Sequence, residues 1–349
     1  MIESIEIHKL RGIQSGKLEG LTPLTVLVGP NSSGKSTILD ALLIAAGNLP
    51  GDAVGRVVRR RAERDADARW LLWRQGEDGD TTLTAKTPQG NGRDCTLSLQ
   101  GLSPASVPLA KVLQSRNAER PFTCIETLCR RDATAATATT VFSADNLYES
   151  SQEPTPLPEP LKLVPRASLL DMRGRESFTP LPTLYTNTVT QGHREHVLEL
   201  IQEVIPGLRS MEILVTPRNE PVLHLVFRNG SVPVALAGDG IRTMLRLSLE
   251  LATRPQGLVL IEEPEIHQHP RALHQSAKTL LASVRRGLQV VLSTHSLELI
   301  DALLLEATQE DLQRFSVYRL KLNEGELVSS RLSGDGLAFA RAQIEEDLR

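Results

Sequence analysis

The chain has 349 residues, enough for one large or two ordinary domains, and its 40% hydrophobic and 23% charged content is ordinary for a globular protein. A net charge of −3 excludes a global pull toward nucleic acid, and 3% aromatic residues argue against a base-stacking platform for single strands, so any such contact must come from a local patch. Cys95, Cys124 and Cys129 match no zinc or CxxC spacing, and no apolar run approaches a membrane span, so the expectation is free thiols in a cytoplasmic protein with no membrane partner.

In MIESIEIHKLRG, Ile2, Ile5 and Ile7 stand near alternation; the stretch reads as a strand and lacks the plan of a signal peptide. TVLV (25–28) is a short apolar strand. A helix follows from Ser36 to about Ala46, with Ile38, Leu39, Leu42 and Leu43 at helical spacing and Gly47 as its stop. Residues 53–74 look helical and arginine-rich. From about 81 to 145, TTLTA, CTLSL, TCIETL and ATTVFSA predict antiparallel strands. EPTPLPEPLKLVP (153–165), with five prolines, reads as an extended or disordered connector between two lobes. An amphipathic helix spans 193–205. MEILV and VLHLVF follow, and Asn229-Gly230 joins the latter to VPVAL as a hairpin. A helix from about Ile241 to Ala252 leads into an apolar strand at 257–261, LQVVLST (288–294) is a second buried strand, and SVYRLKL with ELVSSRL forms a last pair. The plan is a mixed α/β sheet core with an antiparallel β insertion and a helical lobe. Lobe I is about 1–150 plus 255–349, the connector 151–166, and lobe II about 167–254.

GPNSSGKS satisfies G-x-x-x-x-G-K-S after a strand and at the start of a helix. Such glycines let the backbone curl so that N–H groups point inward, and a helix N-terminus adds positive potential where phosphates sit. Gly29, Pro30, Asn31, Ser32, Ser33, Gly34, Lys35, Ser36 and Thr37 are therefore the predicted nucleotide cradle. Lys35 would reach the β- and γ-phosphates, and the Ser36 hydroxyl would be a magnesium ligand.

LVLIEEPEIHQHP (258–270) alone allows a His/Glu metal site, a carboxylate pair for acid–base work, or the magnesium-and-water end of a nucleotide site. Beside a phosphate cradle, Glu262 at the strand tip would hold magnesium and Glu263 would act as general base toward water. His295 in STHS (293–296) would sense the γ-phosphate. A zinc site from His267, His269 and His274 with Glu265 is set aside, because no Cys or Asp supports it at ligand spacing.

GPNSSGKST, LAGDGIR, LVLIEEPEIHQHP and STHS, in that order over almost the whole chain, resemble ABC-type ATPase heads of the SMC/RecF-like branch, and most of all the heads of OLD-family proteins. The resemblance implies a P-loop NTPase that uses ATP and Mg²⁺. It also implies a homodimer or higher homo-oligomer, with ATP trapped between one subunit's P-loop and the other's signature motif. That motif would be LAGDGIR, with Gly238, Asp239 and Gly240 opening a helix; it departs from the Ser-Gly-Gly-Gln form because Ala237 offers no hydroxyl. Arg11 in LRGI matches an arginine near the nucleotide, while Glu265 and His267 would be cross-subunit contacts.

The resemblance carries expectations about the task. A transporter head would carry the serine-containing signature. The Toprim nuclease of OLD proteins has no room within residues 296–349, and sustained heptads for coiled-coil arms are missing. RVVRRRAERDADARWLLWR (56–74), with Trp70 and Trp73, could grip a phosphate backbone, dock a partner protein, or be a solvated face. The leading reading is an ATP-hydrolysing switch that controls a separately encoded effector or nuclease, as in anti-phage defence. The alternatives are an ATP-dependent scaffold with little need for turnover, and a RecF-like repair ATPase that binds DNA through Arg59–Arg61.

Overall fold

The computed structural model describes residues 1–61, 67–103, 106–116, 121–172 and 179–343. Strand β1 (Ser4–Leu10) buries Ile5, Ile7 and Leu10, and turns back as β2 (Ile13–Glu19). β3 (Leu24–Val28) is buried at all five positions, as expected of a strand covered on both faces. Helices α1 (Lys35–Ala46) and α2 (Pro50–Arg59) follow. A meander runs through β4 (Thr81–Lys86), β5 (Gly92–Gln100), β6 (Thr123–Arg131), β7 (Thr134–Phe142) and β8 (Tyr148–Glu153), with α3 (Val107–Ser115) between β5 and β6. Beyond β9 (Ala167–Asp171) come α4 (Leu181–Thr190), α5 (Arg194–Gln202), β10 (Ser210–Val215), β11 (Pro221–Phe227), β12 (Gly230–Pro233) and α6 (Asp239–Ala252). The chain returns through β13 (Gly257–Glu262), α7 (Pro270–Arg285), β14 (Leu288–Ser293), α8 (Leu297–Glu306), α9 (Gln309–Gln313), β15 (Phe315–Asn323), β16 (Glu326–Ser333) and α10 (Gly334–Gln343).

Among the described residues one thirteen-stranded sheet has the order β8-β7-β6-β5-β4-β1-β2-β16-β15-β3-β14-β13-β9. Its β15-β3-β14-β13-β9 half is parallel, and the run from β8 to β2 is antiparallel. Period-two alternation splits the parallel strands between two cores. Leu258, Leu260 and Val291 share one core with Ile38, Leu39 and Leu42 of α1. Val259, Ile261, Val290 and Leu292 share the other with α7 and α8. β10, β11 and β12 form a separate sheet whose core includes Val197 and Ile201 of α5 and Met244, Leu245 and Leu249 of α6. Helix α6 also sends Leu247 and Leu251 into the α7–α8 core, so it joins the small lobe to the large sheet. Each fully buried leucine there contributes about 1.5–3 kcal/mol. Among the described residues no helix is long and apolar enough to cross a membrane.

The mixed α/β sheet with its antiparallel insertion agrees with the sequence. The single helix expected over 53–74 does not form: α2 ends at Arg59, residues 62–66 lie outside the described residues, and short 3₁₀ turns follow at Ala68–Leu71 and Trp73–Gly76. In the 153–165 stretch Leu157, Leu161, Leu163 and Val164 are buried, so it is packed against the body rather than a loose connector. β9, assigned by sequence to the second lobe, pairs in parallel with β13 at the edge of the large sheet. Its backbone needs a ladder partner, and β13 presents the free edge.

Candidate nucleotide-binding site

The segment after β3 turns sharply into α1. Gly29 has φ +144°, and a Cβ there would lie 2.4 Å from the Leu320 carbonyl oxygen, so only glycine fits. Helix α1 starts at Gly34 with no side-chain cap and no acidic residue in its first turn. No acid of the helix's own first turn therefore offsets the positive end of its dipole. It faces a cavity of about 540 Å³ lined by Asn31, Ser32, Ser33, Gly34, Lys35, Ser36 and Thr37, together with Arg11, Arg61, Glu263 and His295. Lys35 Nζ donates to the Gly29 and Pro30 carbonyls at 2.7 and 2.9 Å. Burial pushes its pKa down to about 8, against the opposing pull of Glu263, Glu262 and Glu265.

Below the cavity floor, β13 ends on Glu262, which is 2% exposed. Its Oε1 accepts the Ser36 hydroxyl and, at 2.7 Å, Arg61 Nη2; its Oε2 accepts Arg60 Nη1. Burial alone would raise this carboxyl, but Arg60, Arg61 and the Ser36 bond hold it down at about 2. The predicted meeting of the loop with Glu262, 226 positions along the chain from Ser36, is present. The Ser36 oxygen suits magnesium: it spends its proton on Glu262 and keeps its lone pairs, and hard cations favour such oxygens. Glu262, both of whose oxygens already accept from Arg60, Arg61 and Ser36, would act on the cation from behind Ser36. Among the described residues no three His, Cys, Asp or Glu side chains gather as a metal site of their own.

Glu263 and His295 meet at the cavity wall, with Glu263 Oε1 3.9 Å from His295 Nε2. Glu263 holds φ +48°, a left-handed backbone fixed by its N–H bond to Ser293 O at 3.0 Å. Glu265, expected at a subunit seam, instead turns inward. Its Oε1 accepts Thr294 Oγ1 at 2.7 Å and the His295 amide at 2.9 Å, so it anchors the STHS turn. Burial raises its carboxyl above the usual range. His267 lines clefts beside α6, and His269 caps α7 through Arg271 N at 3.4 Å.

Arg11 reaches Asp40 Oδ2 at 3.1 Å and the Val57 carbonyl at 2.9 Å while lining the cavity. Gly238, Asp239 and Gly240 do not line it. They lie at the start of α6 along clefts shared with Arg242, His267 and His269. Gly240 abuts the loop after β13 so closely that a Cβ would lie 2.2 Å from the His267 carbonyl oxygen.

Sequence reasoning missed Arg60, Arg61 and Asp40 as parts of the site. Arg60 and Arg61 belong to the run read as a DNA-binding face, yet both point at Glu262. This corrects the assignment of Arg59–Arg61 as one phosphate-backbone grip. Other cations of that run pair with nearby acids, Arg56 with Asp52, Arg69 with Asp67 and Arg74 with Asp78. Asp40 did carry a signal: it is a lone acid in the apolar stretch ILDALLIAA, and a buried acid needs a cation.

Residues 183–300 match the family described as "AAA ATPase domain", and residues 24–80 that described as "AAA domain, putative AbiEii toxin, Type IV TA system". An Smc head bound to the C-winged helix domain of ScpA superposes with TM-score 0.52 at 14% identity, covering 95% of this chain and 98% of that one. A second Smc head, with an extended coiled coil and bound to the C-terminal domain of ScpA derived from Pyrococcus furiosus, gives TM-score 0.50 at 12% identity over 99% of both chains. The "DNA double-strand break repair Rad50 ATPase" of Methanopyrus kandleri is 35% identical over 79 residues, 23% of this chain and 9% of that protein. The chain is thus an ATP-binding and hydrolysing protein with the fold of an SMC head. The "Uncharacterized protein MJECL11" of Methanocaldococcus jannaschii is 34% identical over 113 residues, 32% of this chain and 98% of that protein, and the chain belongs to its family.

Proposed function

We propose that this chain is a nucleotide-driven switch in which two copies close on ATP and, once closed, control a separately encoded effector in the cytoplasm, as an OLD-like ATPase would in defence against phage. The observation that carries this reading is the separation of the motifs. Residues 31–37, Glu263 and His295 share one open cavity, whereas Gly238, Asp239 and Gly240 stand outside it at the start of a helix that lines separate clefts. A second copy would bring that helix end, with the positive pole of its dipole, to the γ-phosphate. In this reading Lys35 and the loop amides bind the phosphates, and Glu263 takes the proton of the attacking water beside His295. Ser36 and Glu262 would hold magnesium, which when bound neutralises phosphate charge.

The test is Glu263→Gln, followed by light scattering with and without ATP and Mg²⁺. The expected result is retained ATP binding, turnover lowered at least about 100-fold, and a stable dimer that Gly238→Arg abolishes. A chain that stays monomeric under all these conditions refutes the closed pair. Loss of effector control in the Glu263→Gln protein separates the switch from a scaffold, which would function without turnover.

The partial match to Rad50 favours a second reading, a DNA-repair ATPase. It predicts ATP-dependent DNA binding that weakens steeply with salt. With Arg60 and Arg61 engaged at Glu262, that binding would have to use other cations.

A further inference from the structure

We propose that Arg60 is a positioning residue for the magnesium edge of the site: anchored by Asp40, it holds the Glu262 carboxylate so that the Ser36 hydroxyl proton points away from the phosphate cavity. This rests on the reading that Ser36 and Glu262 serve magnesium.

The geometry runs from the helix to the strand through one planar group. Asp40 lies one turn along α1 from Ser36 and is fully buried. Its Oδ1 accepts Arg60 Nε at 2.9 Å and Arg60 Nη2 as well, while its Oδ2 faces Arg11. The same guanidinium turns Nη1 to Glu262 Oε2 and places Nη2 3.4 Å from the Ser36 carbonyl. Asp171, at the end of β9, lies 3.9 Å from Nη1. Arg60 thus ties α1, β13 and β9 together directly behind Ser36. A guanidinium can satisfy two carboxylates in fixed directions, whereas an ammonium supplies only a point charge.

The hydrogen-bond inventory gives the consequence. A carboxylate flanked by two arginines accepts only, so between Ser36 and Glu262 the serine is the donor. Ser36 lines the cavity and Glu262 lies beneath it, so the proton points down and the oxygen lone pairs remain for a cation. Without Arg60, the cation left on Glu262 among the described residues is Arg61, which itself lines the cavity and would draw the carboxylate toward the phosphates. The Ser36 proton would lose its fixed acceptor.

The test measures binding of a fluorescent ATP analogue to the full chain, in EDTA and across a Mg²⁺ series. The wild type should bind more tightly as Mg²⁺ is added; a Mg²⁺-independent wild type defeats the metal reading of Ser36 and Glu262, not the role of Arg60. Given that dependence, Arg60→Met should keep its EDTA affinity and need at least about tenfold more Mg²⁺, the usual cost of removing a group that orients a metal ligand. Arg60→Lys, which keeps the charge, and Asp40→Asn, which loosens the anchor, should shift the Mg²⁺ midpoint in the same direction but by less than about tenfold. If Arg60→Met does not fold, these two carry the test. A wild-type Mg²⁺ curve in the folded variants overturns the proposal. So does an equal loss of affinity in EDTA and in Mg²⁺, the signature of a merely structural ion pair.

Discussion

Raising the pH should weaken nucleotide binding through Lys35 before it harms the fold. Burial lowers this lysine from its ordinary 10.5 to about 8 in the free protein. A bound phosphate favours the ammonium, so binding takes up the proton that the free site has begun to lose. The sign follows: affinity is complete well below pH 8 and is lost as the pH rises through that value. With the free value near 8, the protonated fraction drops from about three-quarters at pH 7.5 to about one-tenth at pH 9, so Kd for ATP should rise about eightfold between them. Isothermal titration at fixed Mg²⁺ over that range measures the slope. Lys35→Arg stays charged throughout and should bind more weakly but with a flat profile. A wild-type Kd that does not change from pH 7.5 to 9, or an equal slope in Lys35→Arg, would refute the assignment of Lys35 as the buried phosphate cation.

Two predictions concern how the fold carries the site. Gly240→Ala places a methyl 2.2 Å from the His267 carbonyl oxygen, a backbone atom that cannot swing aside. It should cost about 1–3 kcal/mol of stability in urea unfolding and disturb the loop that bears Glu263; an unchanged midpoint would show that α6 and the loop are not packed together. Arg93 is fully buried and donates to the Ile44 and Gly47 carbonyls at the end of α1 and to Leu161 O. Arg93→Met leaves those acceptors without their cation and should cost about 2–3 kcal/mol, read by the same unfolding curve. A neutral result would mean that water replaces the guanidinium.

Much of the site was legible because its physics is local. A glycine-bounded turn between a buried strand and a helix specifies its own backbone, and the apolar run of LVLIEE ending in carboxylates places Glu262 at a strand tip whatever surrounds it. The strands of the meander were likewise readable from β-branched runs broken by turn residues. Helices α3 and α4 escaped notice because each is short, lies beside prolines and has only a few buried positions.

The sequence by itself determined the chemistry of the phosphate loop, the strands that lead into it and the order of the motifs, since these depend on neighbours within a few residues. Only the tertiary structure decided that Arg60 and Arg61 face inward to Glu262, that Glu265 braces the His295 turn, and that Gly238–Gly240 sit apart from the loop. Arg60 and Glu262 are 202 positions apart. A row of arginines has the same local signature whether water or a buried carboxylate receives it, and only the packing of α2 against α1, which leaves Arg60 and Arg61 beside the end of β13, settles which.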